Sequence, residues 1–339
     1  MNKKDNAQFW EMAHRYLDYQ LKVIRQVSIH TVDSYRDCLN SFIDYLEQVE
    51  NTSRKKITLH SFDKETLKRY QAWMVEVRSL SPKTCNLRLT AIRSFLEYAA
   101  QEQLWLMPIY TDACTIVNVK TTNRAIEYFE PDEMSSLLAA PSGNSKTDRR
   151  NQMILIFLYD TATRVSEARQ VKVSDLRLEA EVPYVTLLGK GRKYRNIPLM
   201  EKTIRHLKRY LEEFHGSCPK SDSPLFYAKT HGMLHELSSD SLEKMIKRYA
   251  AQCRAGGLQM PENVHCHMVR KNRAMDLYRE GVPLTHIQQL LGHENISTTS
   301  GFYAFATLDI LAKAIEAANP DEGVKAWSDP DTLEKLYRL

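Results

Sequence analysis

A chain of 339 residues is long enough for two domains with separate cores, and 43% hydrophobic with 26% charged residues excludes fibrous, collagenous and disordered classes. Lys and Arg outnumber Asp and Glu by 47 to 42, a formal charge of +5, which permits a polyanionic partner without requiring one. Six cysteines (Cys38, Cys85, Cys114, Cys218, Cys253 and Cys266) include no CxxC pair, and neither an apolar signal core nor a membrane-length run occurs. Reduced thiols and a soluble, cytoplasmic protein with no membrane partner are expected.

In chain order, residues 8 to 106 read as helical almost throughout. Val32, Tyr35, Leu39, Phe42, Ile43 and Leu46 recur at helical spacing, with Ser28 or Thr31 as the N-cap. Another helix follows Ser81, with Pro82 at its head and Leu87, Ile92, Phe95 and Leu96 as core positions. Trp73 and Phe95 read as packing groups. Strand-like alternation is missing, so residues 1–107 are expected to form a helical bundle. Periodicity fails between Pro108 and Pro131, and residues 108–128 read as a linker.

A second domain is expected from 129 to 319. It opens with a helix at Pro131, followed by a more apolar one carrying Met153, Ile154, Ile156, Phe157 and Leu158. Strands near Val182–Leu188 and Tyr194–Leu199 flank the loop Gly189-Lys190-Gly191-Arg192-Lys193, a hairpin signature. Helices then resume, broken near Gly281, Gly292 and Pro320. Residues 320–339 read as a tail with Trp327, Leu333, Leu336 and Tyr337 as apolar anchors. The fold class is mainly α with a small antiparallel β-sheet.

Four segments of the second domain concentrate one kind of chemistry. Arg164 and Glu167 follow the apolar helix; Lys190 sits in the hairpin loop; His267 and Arg270 share a helical face three residues apart; Leu290-Leu291-Gly292-His293 precedes Tyr303. Phosphoryl transfer needs charge stabilisation on non-bridging oxygens, a nucleophile and a proton for the leaving oxygen. Guanidinium suits bidentate phosphate contacts, so Arg164 and Arg270 fit a clamp. A tyrosine with a pKa of about 10 attacks poorly without cationic surroundings or a base. His267 is suited to accept its proton, His293 to donate to phosphate, and Lys190 to protonate a departing sugar oxygen. The set is complete without a metal or other cofactor.

In these boxes the chain resembles the tyrosine recombinase (phage integrase) family. Arg164 with Glu167, Gly189-Lys190-Gly191 through Arg195 to Pro198-Leu199, His267-x-x-Arg270, Leu290 through His293, and Tyr303 match its motifs in order and interval. Ser28-Ile29-His30-Thr31-Val32 with Tyr35, and Ser81-Pro82-Lys83-Thr84 with Arg88 and Arg93, carry a softer likeness to its helical core-binding (SAM-like) domain. The resemblance implies a core-binding domain joined to an α+β catalytic domain, closing as a C-shaped clamp on duplex DNA. It also implies a 3′-phosphotyrosine intermediate at Tyr303, no ATP, Glu167 orienting the site, and strand exchange in a homotetramer through a four-way junction. A nucleoid-associated, mobile-element enzyme acting on inverted-repeat sites is expected, with accessory DNA-bending or directionality proteins left open. Residues 320–339 either pack on their own domain, the ordinary outcome for such a tail, or dock on a neighbouring protomer, as the tail often does in the family, and the resemblance implies exchange in trans.

The chain departs from the family pattern at three places. Ala162-Thr163 stands where the family has Gly-Leu, and an alanine would be strained if that turn needs φ > 0. Lys271-Asn272 stands where His and Thr or Ser are common. The gap from His293 to Tyr303 is one residue wider than in Xer-type members, and the narrower position is Phe302, which has no hydroxyl.

Any one of these motifs alone reads more readily as a packing or surface feature; together and in order they do not. His265-Cys266-His267 points in different directions along a helix and lacks a second pair at finger spacing, so no metal is expected there. Basic residues spread over both domains suit a polyanion, and Lys83, Arg88, Arg93, Arg192, Lys193, Arg195 and Lys244 are the expected DNA contacts. The resulting expectation is a site-specific recombinase or integrase. A type IB topoisomerase-like relaxing enzyme, or a DNA-binding regulator with a decayed site, stand as alternatives.

Overall fold

The computed structural model describes residues 3–121, 127–143, 145–189, 193–216 and 220–292, and 330 beyond them. Two compact units divide the chain, Met1–Arg124 and Ala125–Leu339.

The first unit is helical among its described residues. α1 (Lys3–His14) runs on as a π-helical stretch, Arg15–Ile24. α2 (Ile29–Gln48) begins at Ser28, whose hydroxyl accepts the Thr31 N–H, and α3 (Lys64–Glu76) begins at Asp63, which accepts from Glu65 and Thr66. α4 (Pro82–Glu102) repeats the device with Ser81 as cap and proline at its first turn. Phe9, Phe42, Phe62 and Phe95 are fully buried, with the Phe42 and Phe62 rings 4.7 Å apart and those of Phe62 and Phe95 5.6 Å apart. Each such ring contributes about 1.5–3 kcal/mol by leaving water. Leu87, expected in this core, is instead exposed on the outer face of α4.

The linker expected over 108–128 needs correcting. α5 (Met107–Cys114) occupies its first part, and Ala113 and Ile116 are buried in the core of the first unit. Pro108 reads as a breaker in sequence, yet at a first helical turn it removes only a donor that has no intrahelical partner. The chain leaves this unit near residue 124.

In the second unit, α6 (Pro131–Ala139) and α7 (Lys146–Thr161) lead to the short α8 (Val165–Gln170). An antiparallel sheet follows in the order β1 (Leu176–Arg177), β2 (Tyr184–Leu188), β3 (Tyr194–Pro198). Val185 faces Ile197 and Leu187 faces Arg195 across β2 and β3, and Gly189 N–H closes the hairpin on the Lys193 carbonyl. α9 (Glu201–His215) packs on α7, whose Ile154, Leu155, Phe157 and Leu158 are buried with Val185, Leu187, Ile197 and Leu207. A second hairpin, β4 (Tyr227–Thr230) and β5 (Met233–Glu236), turns through His231 and Gly232, both at positive φ, and has no counterpart among the expected strands. α10 (Ser239–Ala255), α11 (Cys266–Arg279) and α12 (Leu284–Leu291) complete the described residues, with the expected breaks at Gly281 and Gly292. The expected tail, 320–339, and the break near Pro320 lie outside the described residues, except for Pro330. Among those residues no helix is long and apolar enough to cross a membrane.

Candidate active site

The site is built where α7 ends. Ala162 caps that helix with φ 47° and ψ 31°, the left-handed conformation that glycine adopts without strain. For alanine this conformation costs about 1–2 kcal/mol. Its methyl is fully buried among Ala274, Met275, Ile287 and Leu291, which recovers about 0.8 kcal/mol. The left-handed turn is thus built with alanine, and its methyl fills a satellite core.

This turn delivers Arg164 to the head of α8. Glu167, one turn later and 4% exposed, receives the Arg164 backbone N–H at 2.8 Å, the Arg164 guanidinium at 2.8 Å and the Thr163 hydroxyl at 2.9 Å. Arg195, from β3, adds a bidentate pair at 2.9 and 2.7 Å. Arg270 Nη1 stands 4.0 Å from the same carboxylate. Three guanidinium charges against one carboxylate leave two positive charges in excess, the sign a phosphate diester requires. Burial alone would raise the Glu167 carboxyl, but the Arg195 hydrogen bonds, the Arg164 N–H, the Arg195 charge and the Arg164 guanidinium hydrogen bond outweigh it and hold the group at about 2.

Arg270 is 2% exposed and donates to the carbonyls of Ala162, at 2.7 Å, and Leu291. One guanidinium thus ties the end of α7 and the end of α12 to α11. His267 lies one turn earlier on α11 and is exposed at the surface. Desolvation by the surrounding protein, then the charges of Arg270, Lys271, His265 and Arg164, push its imidazole down to about 4. It is a neutral acceptor at pH 7. His265 is the N-cap of α11, its Nδ1 accepting the Met268 N–H, and Cys266 is a buried packing residue whose thiol is raised by burial. Among the described residues no three His, Cys, Asp or Glu side chains gather as a metal site requires.

The second departure, Lys271-Asn272, has a structural use. Asn272 is buried, accepts the Phe129 N–H at 2.9 Å and donates to Asp276 at 2.9 Å, fastening the entry segment of the unit to α11.

The structure thus gathers Arg164, Glu167, His267 and Arg270. Lys190, His293 and Tyr303, and Arg192 among the expected DNA contacts, lie outside the described residues. Two of the expected DNA contacts have partners within the protein. Arg93 donates to the carbonyls of Ala113, at 3.0 Å, and Ile116, and to the Asn118 amide oxygen at 3.0 Å, so it fastens the end of α5. Arg195 is turned into the protein, 13% exposed, on Glu167 and the Leu290 carbonyl. The sequence held a signal for it: Ile197 faces the core, and a period of two puts Arg195 on the same face. Lys83 and Lys193 are exposed, and Lys244 is exposed and paired with Asp240. Arg88 is half-buried and lines a concavity with Asp33, Asp37 and Thr84.

Comparison with known proteins bears on this geometry. The pattern described as the phage integrase family matches residues 127–307, and that described as the phage integrase N-terminal SAM-like domain matches residues 13–103. The tyrosine recombinase XerC of Staphylococcus saprophyticus is 30% identical over 303 residues, spanning 89% of this chain and 95% of that protein. In fold, the chain is similar to the Tn1549 transposon integrase in complex with transposon right-end DNA, with a TM-score of 0.67 at 20% identity over 90% of this chain and 98% of that one. It is also similar to the XerH site-specific recombinase bound to palindromic difH substrate, with a TM-score of 0.66 at 22% identity over 92% and 84%.

Proposed function

The chain belongs to the phage integrase family of tyrosine recombinases, and on that premise we propose that the cluster of Arg164, Glu167 and Arg270 is the phosphate-binding half of its strand-cleaving site. The enzyme is a site-specific DNA recombinase that breaks and rejoins strands through a 3′-phosphotyrosine intermediate. The observation that carries the assignment is the convergence of arginines from the head of α8, from β3 and from α11 on one buried carboxylate, with two positive charges left over.

In the proposed step the Tyr303 oxygen bonds to the scissile phosphorus as the P–O5′ bond breaks. Arg164 and Arg270 face the charge growing on the non-bridging oxygens, where fixed guanidinium groups act without reorganisation. Neutral His267 accepts the tyrosine proton; Lys190 gives one to the departing O5′; His293 donates to the phosphate. Rejoining reverses these transfers, and the ester bond energy held in phosphotyrosine removes any need for ATP. Glu167 orients Arg164 and cancels part of the buried charge.

The substrate follows from the same reading: duplex DNA carrying inverted-repeat sites, exchanged in a homotetramer. The helical first unit, residues 1–107 of the sequence reading extended by α5, supplies the core-binding module, and the second unit is catalytic. Lys83, Arg88, Lys193 and Lys244 remain as phosphate contacts. The relaxing-enzyme alternative is not favoured, since the matched relative is a recombinase.

A nicked duplex that loses its 5′ fragment on cleavage traps the covalent complex. Tyr303→Phe is expected to abolish this adduct while DNA binding persists. Covalent trapping by the phenylalanine variant would overturn the nucleophile assignment.

A further inference from the structure

We propose that Arg195 is a positioning residue for strand cleavage, setting where the proposed acid Lys190 begins. The inference rests on the family reading of Lys190. Strand alternation turns Arg195 to the buried face of β3, beside Ile197 and opposite Leu187. Its guanidinium then meets three elements. Nη1 and Nη2 grip Glu167 of α8 at 2.9 and 2.7 Å, and Nε donates to the Leu290 carbonyl of α12 at 3.1 Å.

Two glycines close on the same group. A Cβ on Gly189 would stand 3.0 Å from Arg195 Nη1 and 3.6 Å from Glu167 Oε1; a Cβ on Gly292 would stand 3.2 Å from Nη1 and 3.3 Å from Cδ and Cζ. These glycines immediately precede Lys190 and His293 in the chain. One planar cation is therefore lodged against both of these glycines, while its carboxylate partner also holds Arg164. A lysine cannot replace it, because a single ammonium cannot span a bidentate carboxylate and a carbonyl of another helix together.

A purely structural ion pair would also be buried and bonded, so the test must read the proton transfer. The substrates are nicked suicide duplexes carrying a site selected from a randomised duplex pool by the wild-type chain. One has the ordinary P–O5′ bond; the other carries sulfur at the 5′-bridging position, which departs as thiolate and needs no acid. With Arg195→Lys, covalent adduct formation on the oxygen substrate is expected to slow about 10²-fold, the usual result of misplacing a catalytic group by about 1 Å. The sulfur substrate is expected to restore most of the rate, with DNA affinity unchanged. Gly189→Ala, whose Cβ would crowd the guanidinium at 3.0 Å and the Lys193 carbonyl at 3.3 Å while clearing Glu167 at 3.6 Å, gives a smaller slowing with the same rescue. It carries the test if Arg195→Lys fails to fold.

Equal slowing on both substrates, or a wild-type rate on the oxygen substrate, would overturn the assignment. So would a loss of affinity with a shallower salt dependence, which marks a phosphate contact. Lys190→Ala separates the two levels of the argument. If sulfur rescues Lys190→Ala but not Arg195→Lys, only the Arg195 assignment falls; if it rescues neither, the reading of Lys190 as the acid falls, and this inference with it.

Discussion

Replacing Glu167 by glutamine removes one charge from the site while keeping its shape. The carboxylate is 4% exposed and accepts from Arg195 twice, from the Arg164 guanidinium and backbone, and from Thr163. Its carboxyl stands at about 2 against an ordinary 4.5, which corresponds to about 3 kcal/mol favouring the ionised group in the folded protein. Breaking a buried pair by removing one partner falls in the same range, about 3–5 kcal/mol. A depressed carboxyl contributes stability that is complete above its unfolded value near 4.5 and is lost as pH falls toward 2. Glu167→Gln should therefore be about 3 kcal/mol less stable at pH 7, and the difference from wild type should shrink between pH 4.5 and 2 as the native carboxylate is protonated. Urea unfolding read by hydrogen exchange in Lys146–Thr161, Val165–Gln170 and Cys266–Arg279 follows the second unit by itself. A difference that stays constant from pH 7 down to 2.5, or one below about 1 kcal/mol at pH 7, would refute the charge argument.

Two further outcomes follow from groups already placed. With its imidazole held at about 4 instead of 6.5, His267 stays neutral through the mildly acid range, so the rate of covalent adduct formation should fall only below about pH 5. A pH–rate profile with a half-point near 6.5 that disappears in His267→Gln would contradict this. Arg93→Ala should destabilise the first unit by about 2 kcal/mol, the scale of hydrogen bonds to a charged group, as read by thermal melting. Because its donors bind the end of α5, the slope of log affinity against log salt should not change; a slope shallower by about one would restore Arg93 as a phosphate contact.

Most of the helical architecture is written locally. Ser28, Asp63 and Ser81 announce three helix starts because a cap bonds within its own first turn. Arg164 and Glu167 are legible for the same reason, being three apart across a helix head. The β4–β5 hairpin was not legible: β5 is exposed along its whole length and β4 only partly covered, so the alternation that reveals a half-buried strand is missing, and only the His231-Gly232 turn marks it. α5 was masked by Pro108 and by its eight residues, too short for a periodic signal.

The arginines show where sequence reading stops. Arg93 binds Ala113 and Ile116, Arg195 binds Leu290, Arg270 binds Ala162 and Leu291, and Arg150 binds Tyr227, in every case at a backbone carbonyl. A carbonyl has no side-chain identity, so nothing in the partner's residue type announces the contact, and the separations run from 20 to 108 positions. In a chain with an excess of cations, such an arginine reads as a DNA contact when it is in fact closing a loop. The distinction has a chemical consequence here. Cations that bind carbonyls have part of their hydrogen-bonding capacity committed before any phosphate arrives, which favours Arg164, with its side chain a third exposed, as the first group to meet the substrate, ahead of Arg270, and leaves Arg195 to fix the frame around both.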